Sequence, residues 1–273
     1  MNYSKKFKEA VDFSKEKELF LGYGNPSARI LMIGKEQYYK SSKPSDTEEF
    51  YQDLLEKRNE VNQINISSWL RNIDEKFVPE WNSNLDANII NNNPQTVFWN
   101  QRNIQNKKLK NGEWNLGTSN TYLHYQKIYQ NVFLGGVKET NINFQKEFFI
   151  SELNDLLAEK DFNFKRLREL KQGFISKREN LFKLSFFRSF PVVIIASGHY
   201  GRDFDFDIQK TFGVEWTKET IPVGKSWINL HYSTDAENKK LLIHTRQLST
   251  SVTNELIEKI SKIIKDFLKE LEK

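Results

Sequence analysis

Four short apolar segments stand out against a polar chain and predict buried β-strands. They are residues 29–33, 147–150, 191–196 and 241–243. Each is rich in Ile, Leu, Val or Phe and lacks strict alternation of apolar and polar positions, which is typical of strands covered on both faces. These segments are therefore predicted to form the centre of a sheet.

Amphipathic patterns with a helical period separate the four segments. They predict helices over residues 5–21, 121–133 and 164–184, with a break at Gly173 in the third. The clearest helical pattern runs from Val252 to the C-terminus. Strands that alternate with helices favour a parallel sheet between helical layers. The predicted fold is α/β: one domain over residues 1–273, a three-layer α/β/α sandwich around a mainly parallel four-stranded sheet.

The segment from about residue 40 to 120 does not follow this alternation. It is rich in Asn and carries four tryptophans, Trp69, Trp81, Trp99 and Trp114. Such a composition is typical of irregular structure, yet four tryptophans rarely lie in a disordered stretch. We expect an ordered insertion beside the carboxyl edge of the sheet, where ligands bind in open α/β folds.

Composition narrows the possible chemistry. The 273 residues include no Cys, which excludes disulfides, iron–sulfur clusters and thiolate zinc sites, and the four scattered His predict no metal site. The net charge of +5 is a mild basic bias, compatible with a polyanionic partner. The polar N-terminus and the lack of an apolar run of about 20 residues favour a cytoplasmic protein with no membrane span.

Two motifs lie where predicted strands end. GKEQYY, residues 34–39, holds Glu36 directly after the first strand, although an ordinary turn with a solvated carboxylate has the same pattern. LLIHTRQLSTSVT, residues 241–253, puts His244 at the end of the last strand and a hydroxyl-rich start before the final helix. Those hydroxyls either cap the helix or, with its free amides, form a phosphate site.

Together the motifs resemble those of the uracil-DNA glycosylase superfamily. GYGNPSARILMIG, residues 22–34, is similar to the GxGNPxAxIxxIG of several bacterial branches, and GKEQYY resembles the water-activating loop GQDPYH. HTRQLS, residues 244–249, resembles the HPSPLS loop, and FPVVIIASG, residues 190–198, resembles the third core strand of the family. The resemblance covers most of the chain outside the insertion at 40–120.

The resemblance implies a DNA glycosylase that flips a nucleotide out of DNA and hydrolyses its N-glycosidic bond, leaving an abasic site. Glu36 matches the family's acid, which is Asp in the GQDPYH branch, and would orient the attacking water and stabilise the sugar cation. His244 matches the electrophile whose N–H stabilises the departing base anion. The implied enzyme is monofunctional, needs no cofactor or metal, and has DNA as its partner, in the cytoplasm at the nucleoid.

The resemblance also assigns contacts to DNA. Leu248 matches the wedge that fills the emptied base stack, and Ser249 with the neighbouring amides matches phosphate contacts. Ser251, in the hydroxyl-rich start of the final helix, is assigned to DNA as well. Arg246 replaces a small residue of the family loop and would add a phosphate or groove contact. Lys35, beside the acid, departs from the family pattern and is assigned to DNA as well.

The base that the enzyme would recognise depends on further positions at which this chain differs from the family's motifs. Where the family presents an Asn that reads uracil, this chain has Glu152, with Asn154 as an offset alternative. An ionised Glu152 would repel O4 of uracil and accept from an amino group, which favours a modified cytosine, as for phage-defence members of the superfamily. Tyr38 matches a Tyr that excludes the thymine methyl, and Trp114, then Tyr122, is the expected platform for base stacking.

Two other functions stay open at this point. A non-catalytic DNA-binding module would have kept His244 and Leu248 without the chemistry, whereas the carboxylate of Glu36 favours retained catalysis. A hydrolase of free nucleosides would lack the steep salt dependence of DNA binding. Uracil or a modified pyrimidine in DNA is the expected substrate, in repair or in defence against phage.

Overall fold

The computed structural model describes residues 1–77, 119–139, 142–157, 164–235, 237–249 and 251–273, together with the backbone of two short strands between residues 107 and 115. Those two, β3 (Lys107–Lys108) and β4 (Trp114–Asn115), pair with each other. Among the described residues, the other strands form one mixed sheet of seven: β1 (Tyr23–Gly24), β2 (Ile30–Gly34), β5 (Phe148–Glu152), β6 (Val192–Ala196), β7 (Val214–Val223), β8 (Ser226–Ser233) and β9 (Leu241–Thr245).

The centre of the sheet is the parallel block β5-β2-β6-β9, which confirms the four predicted strands. The predicted number of strands is wrong, because β1 pairs antiparallel with β5 and the hairpin β7–β8 extends the sheet beyond β9. The hairpin turns at Gly224, whose φ of +55° lies in the left-handed region. Most side chains of β7 are exposed, so its sequence contains no apolar run to reveal it.

Eight helices surround the sheet in the described part of the chain: α1 (Lys5–Lys17), α2 (Glu48–Asp74), α3 (Asn120–Phe133), α4 (Lys165–Phe182), α5 (Ser185–Arg188), α6 (Tyr200–Asp203), α7 (Ile208–Phe212) and α8 (Asn254–Leu271). A short 3₁₀ turn, Phe144–Lys146, precedes β5. Side-chain oxygens of Ser4, Thr47, Ser119 and Thr253 cap α1, α2, α3 and α8. The predicted break at Gly173 is wrong: α4 runs through it, because the buried Leu167 and Ile175 hold the helix to the core.

Helices cover both faces of the sheet. On β2, Ile30 and Met32 point into a core shared with α3 and α8, while Leu31 and Ile33 point into a core shared with α1, α4 and α5. This alternation on a fully buried strand accounts for its unbroken apolar sequence. The predicted α/β class is confirmed. Of the helices described, none is both long enough and apolar enough for a membrane span.

The first part of the expected insertion is the long helix α2. Its Trp69 is fully buried and donates from Nε1 to the Gly22 carbonyl at 2.7 Å, while its ring packs edge-on against Phe7. Asn65 of the same helix donates to Gly22 O at 2.8 Å. α2 is therefore part of the core rather than an addition beside it. Trp81 and Trp99 lie outside the described residues, and only the backbone of Trp114 is described.

Candidate active site at the carboxyl edge of the sheet

The four parallel strands bring the predicted motifs to a single edge. β5, β2, β6 and β9 end at Glu152, Gly34, Ala196 and Thr245, and the loops that follow them lie side by side. This is the edge at which open α/β sheets bind ligands. We call the loop after β6, residues 197–200, the central loop, because it lies between the ends of β2 and β9.

The Glu36 carboxyl is held by three polar groups. Its side chain is 8% exposed, and Oε2 accepts a 2.6 Å hydrogen bond from the Tyr200 hydroxyl of the central loop. Oε1 lies 3.0 Å from Nζ of Lys171, on α4, and 3.9 Å from Nζ of Lys35. The carboxyl group is therefore fixed in orientation and surrounded by positive charge.

Asn154 supports this arrangement from behind. Its Nδ2 donates to the Tyr200 hydroxyl at 2.9 Å, and its Oδ1 accepts from the backbone N–H of Leu156 at 2.9 Å. The side chain is fully buried. The expectation that Asn154 reads a base is corrected, because its amide is used inside the protein to orient Tyr200 and, through it, Glu36.

His244 contacts the central loop from the other side. Its Nε2 lies 2.8 Å from the Gly198 carbonyl, and since a carbonyl only accepts, the ring carries its proton on Nε2. The ring stands edge-on to Trp227 at 4.9 Å, and Trp227 in turn stacks on His199. Burial lowers the pKa of His244, an effect that the bond to Gly198 opposes and the nearby His199 reinforces. The imidazole is neutral near pH 7.

Glu36 and His244 therefore both form hydrogen bonds with the central loop. β2 and β9 flank β6 on its two sides, and the two residues hydrogen-bond to Tyr200 and Gly198, two positions apart in the central loop. A pocket of about 610 Å³ opens beside this loop. Its walls are formed by Lys35, Arg168, Lys171, Ser197, Gly198, His199, Tyr200, Asp203, Phe204 and Gln247.

Glu152 has a charge state that its sequence context does not predict. Its carboxyl group lies against Gly34, where an added Cβ would come within 2.2 Å of Oε2. Burial raises the pKa of Glu152 to about 8, with Arg178 opposing the rise and Glu36 adding to it. The expected ionised carboxylate is therefore corrected to a neutral acid at pH 7. A neutral carboxyl has one donor and one acceptor, so the charge argument for a cytosine-like base no longer holds.

The aromatic candidates for base contacts lie in different surroundings. Tyr122 is buried, with its hydroxyl 2.9 Å from that of Tyr23 and its ring among the core residues Tyr125 and Phe144, so it offers no open stacking face. Tyr38, in contrast, is 67% exposed. The side chain of Trp114 lies outside the described residues, and its role as a platform stays a prediction.

The expected position of Leu248 is corrected. The side chain is 1% exposed and belongs to the core beneath α8, while its carbonyl oxygen lies 3.0 Å from Nδ1 of His124. A side chain in this position does not project from the surface as a wedge. The leucine that matched the family's wedge is here part of the core to which α3 and α8 also contribute.

The remaining predicted DNA contacts lie in the segments that follow β9 and β2. Nη1 of Arg246 reaches Ser226 Oγ at 3.5 Å, Ser249 is half-buried, and Ser251 is exposed with a φ of +53°. Neither serine caps α8, since that role falls to Thr253. Lys35 lines the pocket beside Glu36. Their contacts with DNA stay predictions.

Lys171 is a site residue that the sequence motifs did not predict. Lys171 interrupts an otherwise apolar stripe of α4 between Leu167 and Ile175, four positions from each, and all three are buried. A charged residue in such a stripe is the signal that was available, because a buried lysine needs a partner. Tyr200 carries a weaker signal, because its place just beyond the third predicted strand suits a residue that lines the cleft but suits core packing as well.

Within the described ranges, no group of three or more His, Asp or Glu side chains is arranged to hold a metal ion. The chemistry available at the edge is that of a fixed carboxyl group, a neutral imidazole and several cations. No family model, no curated protein and no solved structure matches the chain.

Proposed function

We propose that this chain is a DNA glycosylase with a uracil-DNA glycosylase-like three-layer fold, which hydrolyses the N-glycosidic bond of a flipped-out uracil or modified pyrimidine. One observation carries the proposal: Glu36 and His244, from the two motifs that resemble that superfamily, hydrogen-bond to the same loop at the carboxyl edge of the sheet. As an enzyme of DNA it would act in the cytoplasm, at the nucleoid, in repair or in phage defence.

The role proposed for Glu36 follows from its fixed orientation. In hydrolysis the oxygen of water bonds to C1′ of the sugar while the C1′–N bond breaks and its electron pair leaves with the base. A carboxylate orients that water, takes the proton that it loses, and stabilises the positive charge on the sugar. Tyr200, together with Lys171, holds the carboxyl group in place before substrate binds, which is the preorganisation that catalysis needs.

The role proposed for His244 requires a change of partner. A neutral ring has a single N–H, and in the structure it points at the Gly198 carbonyl. To stabilise the departing base anion, this N–H must leave the carbonyl and donate to O2 of the pyrimidine. The low pKa of His244 suits this role, because a neutral imidazole donates a hydrogen bond without losing its proton to the base.

The identity of the base rests on Glu152 as a neutral acid. A carboxyl group with one donor and one acceptor is complementary to O4 and N3–H of uracil, and by rotation also to the amino group and N3 of a cytosine. The proposal therefore includes unmodified uracil alongside modified pyrimidines. Base release from a panel of oligonucleotides, each containing one of these bases, distinguishes the alternative substrates.

The test is base release by the purified chain from oligonucleotides that contain uracil or modified cytosines, followed by alkaline cleavage and by chromatography of the free bases. We expect an alkali-labile abasic site together with an equimolar free base. His244→Ala should lower the rate about 100- to 1,000-fold and Glu36→Gln about 100- to 10,000-fold, with the fold retained. Glu60→Gln, an exposed carboxylate on α2, is the matched control and should keep wild-type activity.

A non-catalytic DNA-binding module is the second candidate. The occupied N–H of His244 and the burial of Leu248 favour it. Such a module would retard labelled DNA in a gel without producing alkali-labile sites. Retardation without base release from any oligonucleotide in the panel would overturn the glycosylase proposal.

A further inference from the structure

The wall of the pocket beside the central loop carries an exposed aromatic ring, that of His199. The pocket has a volume of about 610 Å³, within the range of about 300 to 1,000 Å³ that is usual for small-ligand sites. His199 lines it, and its ring stacks on Trp227 with the centroids 5.3 Å apart and the planes 18° from parallel. Trp227 covers one face of the imidazole, and no second ring of the described residues stacks on the other. The exposed His199 thus offers a flat face to a ligand ring.

Trp227 supports this ring from behind. It lies on β8, in the hairpin that extends the sheet beyond β9, and its backbone carbonyl accepts a 2.6 Å hydrogen bond from Oγ1 of Thr245, at the end of β9. Its ring also stands edge-on to that of His244, with the centroids 4.9 Å apart. Because these contacts hold Trp227, the His199 ring is supported before a ligand binds, and less freedom is lost on binding. His199 is therefore a preformed platform.

A polar group without a partner lies in the same wall. Ser197, two positions before His199, is 4% exposed and lines the pocket. Its hydroxyl makes no hydrogen bond to any residue that the structure describes. Buried polar groups are nearly always hydrogen-bonded, so an unpaired hydroxyl at a cavity indicates a polar group of a ligand as its missing partner. This hydroxyl points to a ligand independently of the stacked rings.

The same wall adds a second aromatic ring and an amide. Phe204 is half-buried, and Gln247 is exposed in the loop after β9. Aromatic faces combined with a few donors and acceptors suit a nucleobase, because a base has two flat π faces and an edge of donors and acceptors. An aliphatic ligand would leave the Ser197 hydroxyl unpaired, and an inorganic ion would make no use of the stacked rings.

We propose that this pocket binds a nucleobase, which stacks on the open face of His199 and forms a hydrogen bond with the Ser197 hydroxyl. A nucleobase is expected because DNA is the proposed partner, so the subsite rests on the proposed function. Glu152, the proposed reader of the excised base, is not among the described residues that line this pocket. The base bound here is therefore a second one, which belongs either to a neighbouring nucleotide of the strand or to a free nucleoside.

Binding of two single strands of equal length to the full chain tests the subsite. One strand is oligothymidylate, and the other is the same sugar–phosphate backbone without bases, so the two differ only in the rings that His199 would stack. Fluorescence anisotropy of the labelled strands gives both dissociation constants. We expect His199→Ala to weaken oligothymidylate binding about 5- to 100-fold, the usual loss for one base stack, and to leave binding of the abasic strand unchanged. His199→Phe, which keeps a ring, should restore oligothymidylate binding.

Trp216→Ala is the matched control, because it removes an exposed ring of β7 that does not line the pocket, and it should keep the wild-type affinities. Ser197→Ala should weaken oligothymidylate binding about 2- to 10-fold, again with no effect on the abasic strand. Because His199 is exposed, His199→Ala is expected to fold even if Ser197→Ala does not. An equal loss of affinity for both strands in His199→Ala, or wild-type affinity of this variant for both strands and for thymidine, overturns the proposal.

Thymidine, which carries no phosphate, identifies the source of the base. If His199→Ala weakens oligothymidylate binding alone or together with thymidine binding, the base belongs to the strand. If it weakens only thymidine binding, the ligand is a free nucleoside. Both results support the nucleobase subsite, whereas a wild type that binds neither oligothymidylate nor thymidine overturns it. Base release is measured separately: binding that depends on His199 without any base release would overturn the glycosylase proposal and leave the subsite standing.

Discussion

The Tyr200 hydroxyl donates a 2.6 Å hydrogen bond to Glu36, and it accepts one of 2.9 Å from the side chain of Asn154. The three residues follow three neighbouring parallel strands, β6, β2 and β5. Because each hydroxyl has one proton, the bond from Asn154 directs that of Tyr200 toward the carboxyl group. This chain of hydrogen bonds fixes the candidate catalytic carboxyl group of Glu36 from within the fold.

Tyr200→Phe removes the hydroxyl and keeps the ring that faces Lys35. A hydrogen bond to a charged group is worth about 1.5 to 3 kcal/mol, so we expect base release to slow roughly 10- to 100-fold. Single-turnover kinetics over a range of pH measure the effect. Tyr232→Phe, in an exposed position on β8, is the control. A Tyr200→Phe protein with the wild-type rate and pH profile would show that the bond does not position Glu36.

Glu152→Gln tests the protonation state assigned to Glu152. Since burial raises its pKa to about 8, the folded state keeps a proton that the unfolded chain loses near pH 4.5. The stability of the wild type should therefore fall as pH rises from about 5 to 8, by at most about 1.4 kcal/mol per pH unit. Gln does not titrate, so the variant should lack this loss.

Urea unfolding at several pH values between 5 and 8 measures the difference between Glu152→Gln and the wild type. Glu9→Gln, an exposed carboxylate of α1, is the control and should keep the wild-type pH dependence. A difference that does not change with pH would mean that Glu152 is ionised in the folded protein.

The central strands of the sheet are predictable from the sequence because a strand buried on both faces has an unbroken run of apolar residues. The unbroken apolar run of β6 is the pattern that a strand between two helical layers produces. The hairpin β7–β8 has no such run, since β7 buries only Val214 and Val223, at its two ends, and most residues between them are polar and exposed. Helix α2 was missed for the opposite reason. Its buried face mixes apolar residues with polar ones, and Arg58, Asn62 and Asn65 turned inward interrupt the apolar stripe.

For the candidate site, position along the chain predicts Glu36 and His244, because each comes at or after the end of a buried strand. Their partners are not local: Lys171 and Tyr200 lie 135 and 164 positions from Glu36. The neutral state of Glu152 depends on burial against Gly34, a property of the assembled sheet. Leu248 shows the limit of motif matching, since an apolar residue in a loop serves equally well in a core.

Asp155 is the centre of a buried ionic network that joins α2 and α4 to the end of β5. It accepts two hydrogen bonds of 2.9 Å from Arg58 and one of 3.0 Å from Asn62, and Arg178 lies 3.7 Å away. Asp155→Asn leaves two buried guanidinium groups without their counter-charge, which should cost about 3 to 5 kcal/mol of unfolding free energy.

Urea denaturation at pH 7 measures the loss. Glu48→Gln breaks an exposed pair with Arg166 and is the control, with a much smaller effect expected. Similar stability in the two variants would mean that the network around Asp155 is solvated rather than buried.

The burial of His231, on β8, leads us to expect that the protein loses stability as the pH falls. Both ring nitrogens are buried and make no hydrogen bond to the residues that the structure describes, and burial, with a smaller effect of His244, lowers the pKa of His231 to about 4. The unfolded chain takes up the proton near pH 6.5, so the wild type should lose up to about 1.4 kcal/mol of stability per unit as pH falls from 6.5 to 4. His231→Leu removes the titrating group and fills the same apolar space, and thermal unfolding at pH 7 and pH 5 should show a smaller loss for this variant. His199→Leu, at an exposed ring, should keep the wild-type loss. If His231→Leu loses as much stability between pH 7 and pH 5 as the wild type, the acid sensitivity belongs to another group.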